Sequence, residues 1–362
     1  MFTKLSKIAV SVAAVATGLV ATIGATQASS ASAPLGHPRT AVHFNLAAGQ
    51  TPENIALARH GNQYVTFAKA RQVAEVTRGG AVRILATMPL PADGGVHTPA
   101  LGFPLTVGIT RDHDGTLYFL YATGTTDLTG VWRMHPGGRP ERIAAMPANS
   151  LPNGLALDAR THTLYITDSE GAVWSVPATG GTATAWSTDP ALAPAGFLGA
   201  NGLKVHNGAI WATNLDKGTI ARIPILPDGT AGPAQITATG LTGIDDFAFT
   251  GHGDQILAAL DTVDQVALVQ PDGTHTTVLT AADGLQGPTS IALRGDTAYI
   301  MSAAYLTGKD PNEITVRSAT SWRSATAAGH PAATSPSSST GTLPTSSSGS
   351  PTWRQPAACC TS

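Results

Sequence analysis

The sequence predicts an all-β fold, a six-bladed β-propeller with four-stranded antiparallel blades around a central channel. Three observations carry this: a repeat of about 46 residues, a turn-rich composition, and one class of polar residue that returns at one phase of the repeat. The chain holds 39 Gly and 25 Pro in 362 residues, and only 12% of it is charged. That profile suits many short strands joined by tight turns.

The repeat emerges when short apolar strands are aligned on the small or polar residues before them. Its starts are Glu53-Asn54-Ile55, Val107-Gly108-Ile109, Asn153-Gly154-Leu155, Asn201-Gly202-Leu203, Asp245-Asp246-Phe247 and Thr289-Ser290-Ile291, at intervals of 54, 46, 48, 44 and 44 residues. Each start is followed by a turn signal and a second strand, as in Asp114-Gly115 before Leu117-Tyr118-Phe119. Third strands read Val73 to Val76, Val131 to Met134, Val173 to Val176, Ile220 to Ile223, Val266 to Val269 and Ile314 to Val316. Fourth strands include Arg83-Ile84-Leu85 and Thr277-Val278-Leu279. A ring of blades must close, and Val42-His43-Phe44 is placed to supply the outer strand of the last blade, which leaves no open edge.

The propeller is expected over residues 40 to 318. Residues 1 to 33 read as a secretory signal peptide: Lys4 and Lys7, an apolar run from Ile8 to Ile23, then small residues with cleavage expected after Ala28, Ala31 or Ala33. Residues 319 to 362 are rich in Ser, Thr, Pro and Ala, and are read as a disordered tail whose deletion leaves the fold intact. Cys359 and Cys360 are adjacent in that tail and cannot staple the domain. The expected product is secreted, monomeric and free of the membrane once the signal is cleaved. A formal net charge of −2 gives no basic field for nucleic acid. The expected partner is a small-molecule substrate.

In a propeller the first strand of every blade lines the axis, so the starts form one ring: Glu53, Val107, Asn153, Asn201, Asp245 and Thr289. Glu53, Asn153, Asn201 and Asp245 offer hard oxygen ligands with two negative charges, a donor set suited to calcium. Taken singly, an Asn-Gly pair before a strand is also a turn signature. Connections from fourth to first strand, and from second to third, cross the mouth above this ring. They bring His97, Phe103, Phe197 and Leu198 as candidate pocket residues. Asp112-His113-Asp114-Gly115 falls on the far face and is read as a plain hairpin.

At Thr51-Pro52-Glu53-Asn54-Ile55, Leu151-Pro152-Asn153-Gly154-Leu155, Asn201-Gly202-Leu203 and Ile244-Asp245-Asp246-Phe247 the chain resembles the gluconolactonase and regucalcin family of six-bladed propellers, relatives of paraoxonase and diisopropyl fluorophosphatase. The resemblance implies that Glu53, Asn153, Asn201 and Asp245 hold one catalytic Ca2+. It implies a hydrolase of a lactone, ester or phosphoester, with Asp245 as nucleophile or base. In gluconolactonases the position of Asn201 is generally an Asp that serves as base, and the Glu, Asn, Asn, Asp set is closer to the paraoxonase pattern. Paraoxonase carries acidic residues where this chain has Asn54 and Gly154, so one axial ion is expected rather than two. The rival expectation is a non-catalytic propeller that binds a protein or cell-surface ligand around a structural calcium.

Overall fold

The computed structural model describes residues 35 to 58 and 60 to 318; the expected signal peptide and tail lie outside the described residues. Twenty-four strands form six four-stranded sheets. After β1 (Arg39–His43), blade 1 comprises β2 (Pro52–Leu57), β3 (Gln63–Phe67), β4 (Gln72–Val76) and β5 (Val82–Thr87). Blade 2 comprises β6 (Leu105–Arg111), β7 (Leu117–Ala122), β8 (Gly130–Met134) and β9 (Glu141–Ala145). Blade 3 has β10 (Pro152–Asp158), β11 (Thr163–Asp168), β12 (Ala172–Pro177) and β13 (Thr184–Ser187). Blade 4 has β14 (Ala200–His206), β15 (Ala209–Asn214), β16 (Thr219–Pro224) and β17 (Gln235–Ala238). Blade 5 has β18 (Ile244–Phe249), β19 (Ile256–Leu260), β20 (Gln265–Val269) and β21 (His275–Leu279). Blade 6 runs β22 (Pro288–Arg294), β23 (Thr297–Ser302) and β24 (Asn312–Arg317), and β1 adds the fourth strand.

Every sheet is antiparallel, five are ordered as the chain runs and the sixth as β22-β23-β24-β1, so β2, β6, β10, β14, β18 and β22 each form one edge. The strands β2, β6, β10, β14, β18 and β22 contact one another in succession and then β2 again, which closes them into an inner ring. The core lies between blades. Leu120, Val131, Leu151, Leu164 and Ile166, from blades 2 and 3, form one such apolar layer, each no more than 1% exposed. The strands that carry Leu120, Leu164 and Ile166 are buried along nearly their whole length, as strands packed on both faces by neighbouring blades are.

Closure occurs where the sequence places it. Val42 pairs with Glu313 and His43 with Asn312, and Phe44 N donates to Pro311 O at 2.8 Å. Val42 and Phe44 pack with Phe67 and Val76 of blade 1, so this strand joins the last blade to the first. Val42→Asp would bury a carboxylate in that layer without a partner. Thermal unfolding should fall by about 5 °C, an apolar-to-charged cost of about 3 kcal/mol in a domain of this size.

Candidate functional site

All six ring residues sit in the same local defect. The ladder between the first and second strand of each blade shifts register at Pro52/Asn54, Thr106/Ile109, Pro152/Leu155, Ala200/Leu203, Ile244/Phe247 and Pro288/Ser290. Each shift takes in the ring position: Glu53, Val107, Asn153, Asn201, Asp245 and Thr289. A bulge re-aims the side chain that it carries. Asn153-Gly154 and Asn201-Gly202 therefore lie within β10 and β14, and are not turns.

The glycines have a separate cause. A Cβ on Gly154 would lie 2.4 Å from the carbonyl oxygen of Asn201, and one on Gly202 would lie 2.7 Å from that of Asp245. Neighbouring inner strands touch here, backbone to backbone, and no side chain fits between them. Thr167 Oγ1 accepts from Gly154 N (2.8 Å) and donates to Asn201 O. Thr213 repeats the arrangement one blade on, accepting from Gly202 N (2.7 Å) and donating to Asp245 O (2.5 Å). The ring backbone is thus pinned blade to blade, which leaves the ring side chains free for other work.

The four candidate ligands are all buried, Glu53 and Asp245 at 6% exposure, Asn153 at 8% and Asn201 at 1%. Asn153 Nδ2 bonds Ser169 Oγ at 3.4 Å, which leaves its Oδ1 at the opposite end of the amide. Asn201 Oδ1 is buried with no hydrogen-bond partner among the described residues. Glu53 Oε2 accepts a 2.5 Å bond from Tyr305, in the connection between β23 and β24. The remaining two ring positions serve otherwise. Val107 is apolar, and Thr289 Oγ1 donates to Pro52 O at 2.9 Å, blade 6 to blade 1.

Carboxylates dominate the electrostatics. Burial pushes Glu53 up to about 7; the Tyr305 bond opposes this, and the charges of Asp261 and Asp246 add to it. Asp245 is held well above the usual carboxylate range by burial, then by Glu53, Asp261 and Asp246, with Lys204 opposing. Asp261, just beyond β19, is raised to about 7 by burial and by Asp264, and its Oδ1 has no partner among the described residues. Asp246 differs. Lys204 Nζ lies 2.6 and 2.7 Å from its two oxygens, and Asn54 Nδ2 donates to Oδ2 at 3.4 Å. Blades 1 and 5 are not neighbours, so the Asn54 bond spans the channel.

The mouth is built from connections that the topology brings together. Lys69, between β3 and β4, lies 5.6 Å from the Tyr305 ring centre and 6.0 Å from that of Phe103. Of the candidate pocket residues, Phe103 alone is tied to the ring, through Lys69 and Tyr305. His97 is exposed and its Nδ1 lies 2.8 Å from Asp93 within its own loop. Phe197 is 50% exposed, and Leu198 is buried in the apolar layer between blades. Sequence reasoning did not single out Lys204, Asp261, Tyr305 or Lys69. Among the described residues no group of three or more His, Cys, Asp or Glu is placed to hold a metal ion, so any axial cation must draw on the two amides.

No protein-family model and no curated protein matches the chain. Solved structures do. A putative gluconolactonase aligns at 16% identity over 78% of this chain and 92% of its own, with a TM-score of 0.57. A gluconolactonase from Xanthomonas campestris aligns at 13% identity over 78% and 95%, with a TM-score of 0.55. Virginiamycin B lyase from Staphylococcus aureus, in complex with quinupristin, aligns at 16% identity over 74% and 81%, with a TM-score of 0.53. The chain therefore shares a β-propeller fold with these structures, and builds its own from six blades.

Proposed function

We propose that the protein is a secreted, calcium-dependent hydrolase of a lactone, ester or phosphoester. The observation that carries this reading is the buried acceptor set at the axis: Asn201 Oδ1 has no donor, and the raised carboxylates of Glu53 and Asp245 lack a cation of their own. Two carboxylates and two amide oxygens suit a hard divalent ion, and Glu53, Asn153, Asn201 and Asp245 would hold it. When bound, calcium would polarise the C=O or P=O oxygen and stabilise charge developing there.

The chain's own groups supply the rest. Tyr305 fixes the Glu53 carboxylate by its hydrogen bond. Lys204 neutralises Asp246, so the charge left for chemistry is that of Asp245. Asp245, once ionised, either adds its oxygen to the substrate carbon or phosphorus and expels the leaving group, or takes a proton from the water that does so. In the first route water then cleaves the mixed anhydride formed at Asp245 and restores the carboxylate. Lys69, between Phe103 and Tyr305, would draw in substrates with an anionic group.

Lactones, aryl esters and organophosphates should each be assayed with calcium and with chelator. Turnover of one class that calcium supports and chelator removes is the expected result. Calcium binding with no turnover of any class would favour the ligand-binding propeller.

A further inference from the structure

One sizeable cleft lies away from the mouth. It encloses about 720 Å³ where blade 6 meets blade 1, at the ends of their strands away from the mouth. That volume suits a small ligand of one or two rings. Its lining includes Arg39, Arg78 and Arg317, with Gln63 and Glu313 and the ring of Tyr299.

Two features distinguish it from a solvated surface. The arginine ion pairs of the described residues involve Arg83, Arg133 and Arg160, and none of these lines the cleft. Arg39, Arg78 and Arg317 thus reach one cavity with none of them held in an ion pair among the described residues, and Glu313 near Arg39 is the one acidic residue in the lining. The second feature is buried. Gln63 and Glu313, 4% and 1% exposed, join blade 1 to blade 6 by a 3.0 Å bond from Nε2 to Oε1. Gln63 Oε1 and Glu313 Oε2 are then left with no partner among the described residues. Unpaired buried oxygens are costly, and a ligand that pairs them is correspondingly favoured. Burial raises the pKa of Glu313, with the Gln63 bond and the charge of Arg39 opposing, so this carboxyl only partly offsets the arginines.

We propose that the cleft binds a hydroxylated anion, a sugar bearing a phosphate or carboxylate. Its anionic group meets Arg39, Arg78 and Arg317, whose planar forks match both anions. Its hydroxyls meet the free oxygens of Gln63 and Glu313. The site is separate from the axial ring, and its occupancy does not depend on calcium.

Titration calorimetry of the full chain, with chelator present, tests this with four probes: glucose 6-phosphate, glucuronate, glucose and inorganic phosphate. One or both anionic sugars should bind at least about tenfold more tightly than glucose or phosphate, and more weakly as salt rises. The tighter of the two identifies phosphate or carboxylate as the group recognised. The R39A/R317A double variant should lose at least about tenfold in affinity with thermal stability unchanged. Arg78→Ala, in a turn, should lose affinity in the same direction and stands in if the double variant misfolds. Absence of binding by both sugars at roughly 10 mM in low salt would overturn the proposal. So would phosphate binding as tightly as the sugars, or an affinity indifferent to the arginines.

Discussion

Asp245→Asn should cut turnover by about 10²- to 10⁴-fold while the propeller stays folded, because it removes the group assigned as nucleophile or base and keeps its size. The loss should appear in kcat at saturating substrate and calcium. The substituted amide still offers one oxygen to the ion, so calcium affinity should fall less than activity does. A further effect follows from the site's electrostatics. Burial and the charge of Glu53 make an ionised Asp245 unfavourable in the metal-free chain. Taking that charge away should raise metal-free thermal stability at pH 8, which a damaging substitution would not do. Glu53→Gln should show the opposite balance, with calcium affinity lost first and turnover recovered at high calcium. Unchanged kcat in Asp245→Asn would remove Asp245 from the mechanism.

The fold was legible because every blade repeats the same physical problem. A strand that is buried on both faces at its inner end and feeds a tight turn reads the same at Asn153-Gly154-Leu155 and at Asn201-Gly202-Leu203. The ring phase was legible for a related reason. The bulge, the touching backbones at Gly154 and Gly202, and the threonines behind them recur with the blade, so the residue that they present recurs too. Even the closing strand was readable, since Val42 had to cover an edge that Ile314 to Val316 left open.

What could not be read lies off this phase. Tyr305 and Lys69 sit in connections of different length, where no repeat position predicts that a phenol will reach Glu53 or that an ammonium will rest between two rings. Lys204 belongs to a first strand, but its partner is Asp246 of the next blade, and a sequence separation of 42 residues hides that pair. Asp246 carried a signal in the doubled Asp245-Asp246, which the ring argument assigned to one residue only. Asp261 follows its second strand by one residue, a position that its counterparts in other blades do not fill with acid. The pocket residues show the converse. His97, Phe197 and Leu198 were chosen because they lie in mouth connections, and Leu198 is instead part of the packing between blades.

Without calcium, the chain should lose stability as pH rises from about 4 to 8, the reverse of ordinary acid denaturation, and calcium should cancel the loss. The sign follows from the raised carboxylates. Glu53 shifts from 4.5 to about 7 and Asp261 from 3.8 to about 7, while Asp245 also moves up. A carboxyl whose folded pKa exceeds its unfolded one binds more protons when folded, so its stabilising effect is complete below the unfolded value and vanishes as pH climbs past the folded one. The window is therefore about pH 4 to 7 for Glu53 and Asp261, and extends upward for Asp245. For Glu53 alone the shift corresponds to about 3 kcal/mol, several degrees in the unfolding temperature of a domain this size. Calcium binds the ionised forms in the folded state alone, so its stabilisation should grow with pH and exceed that loss at pH 8 when present well above its Kd. The measurement is thermal unfolding between pH 4 and 8, with calcium and with chelator. Asp261→Asn should flatten the chelator curve while leaving calcium stabilisation in place, because Asp261 contributes charge to the site without belonging to the proposed ligand set. Parallel curves with and without calcium across the whole range would mean that the axial carboxylates do not hold the ion.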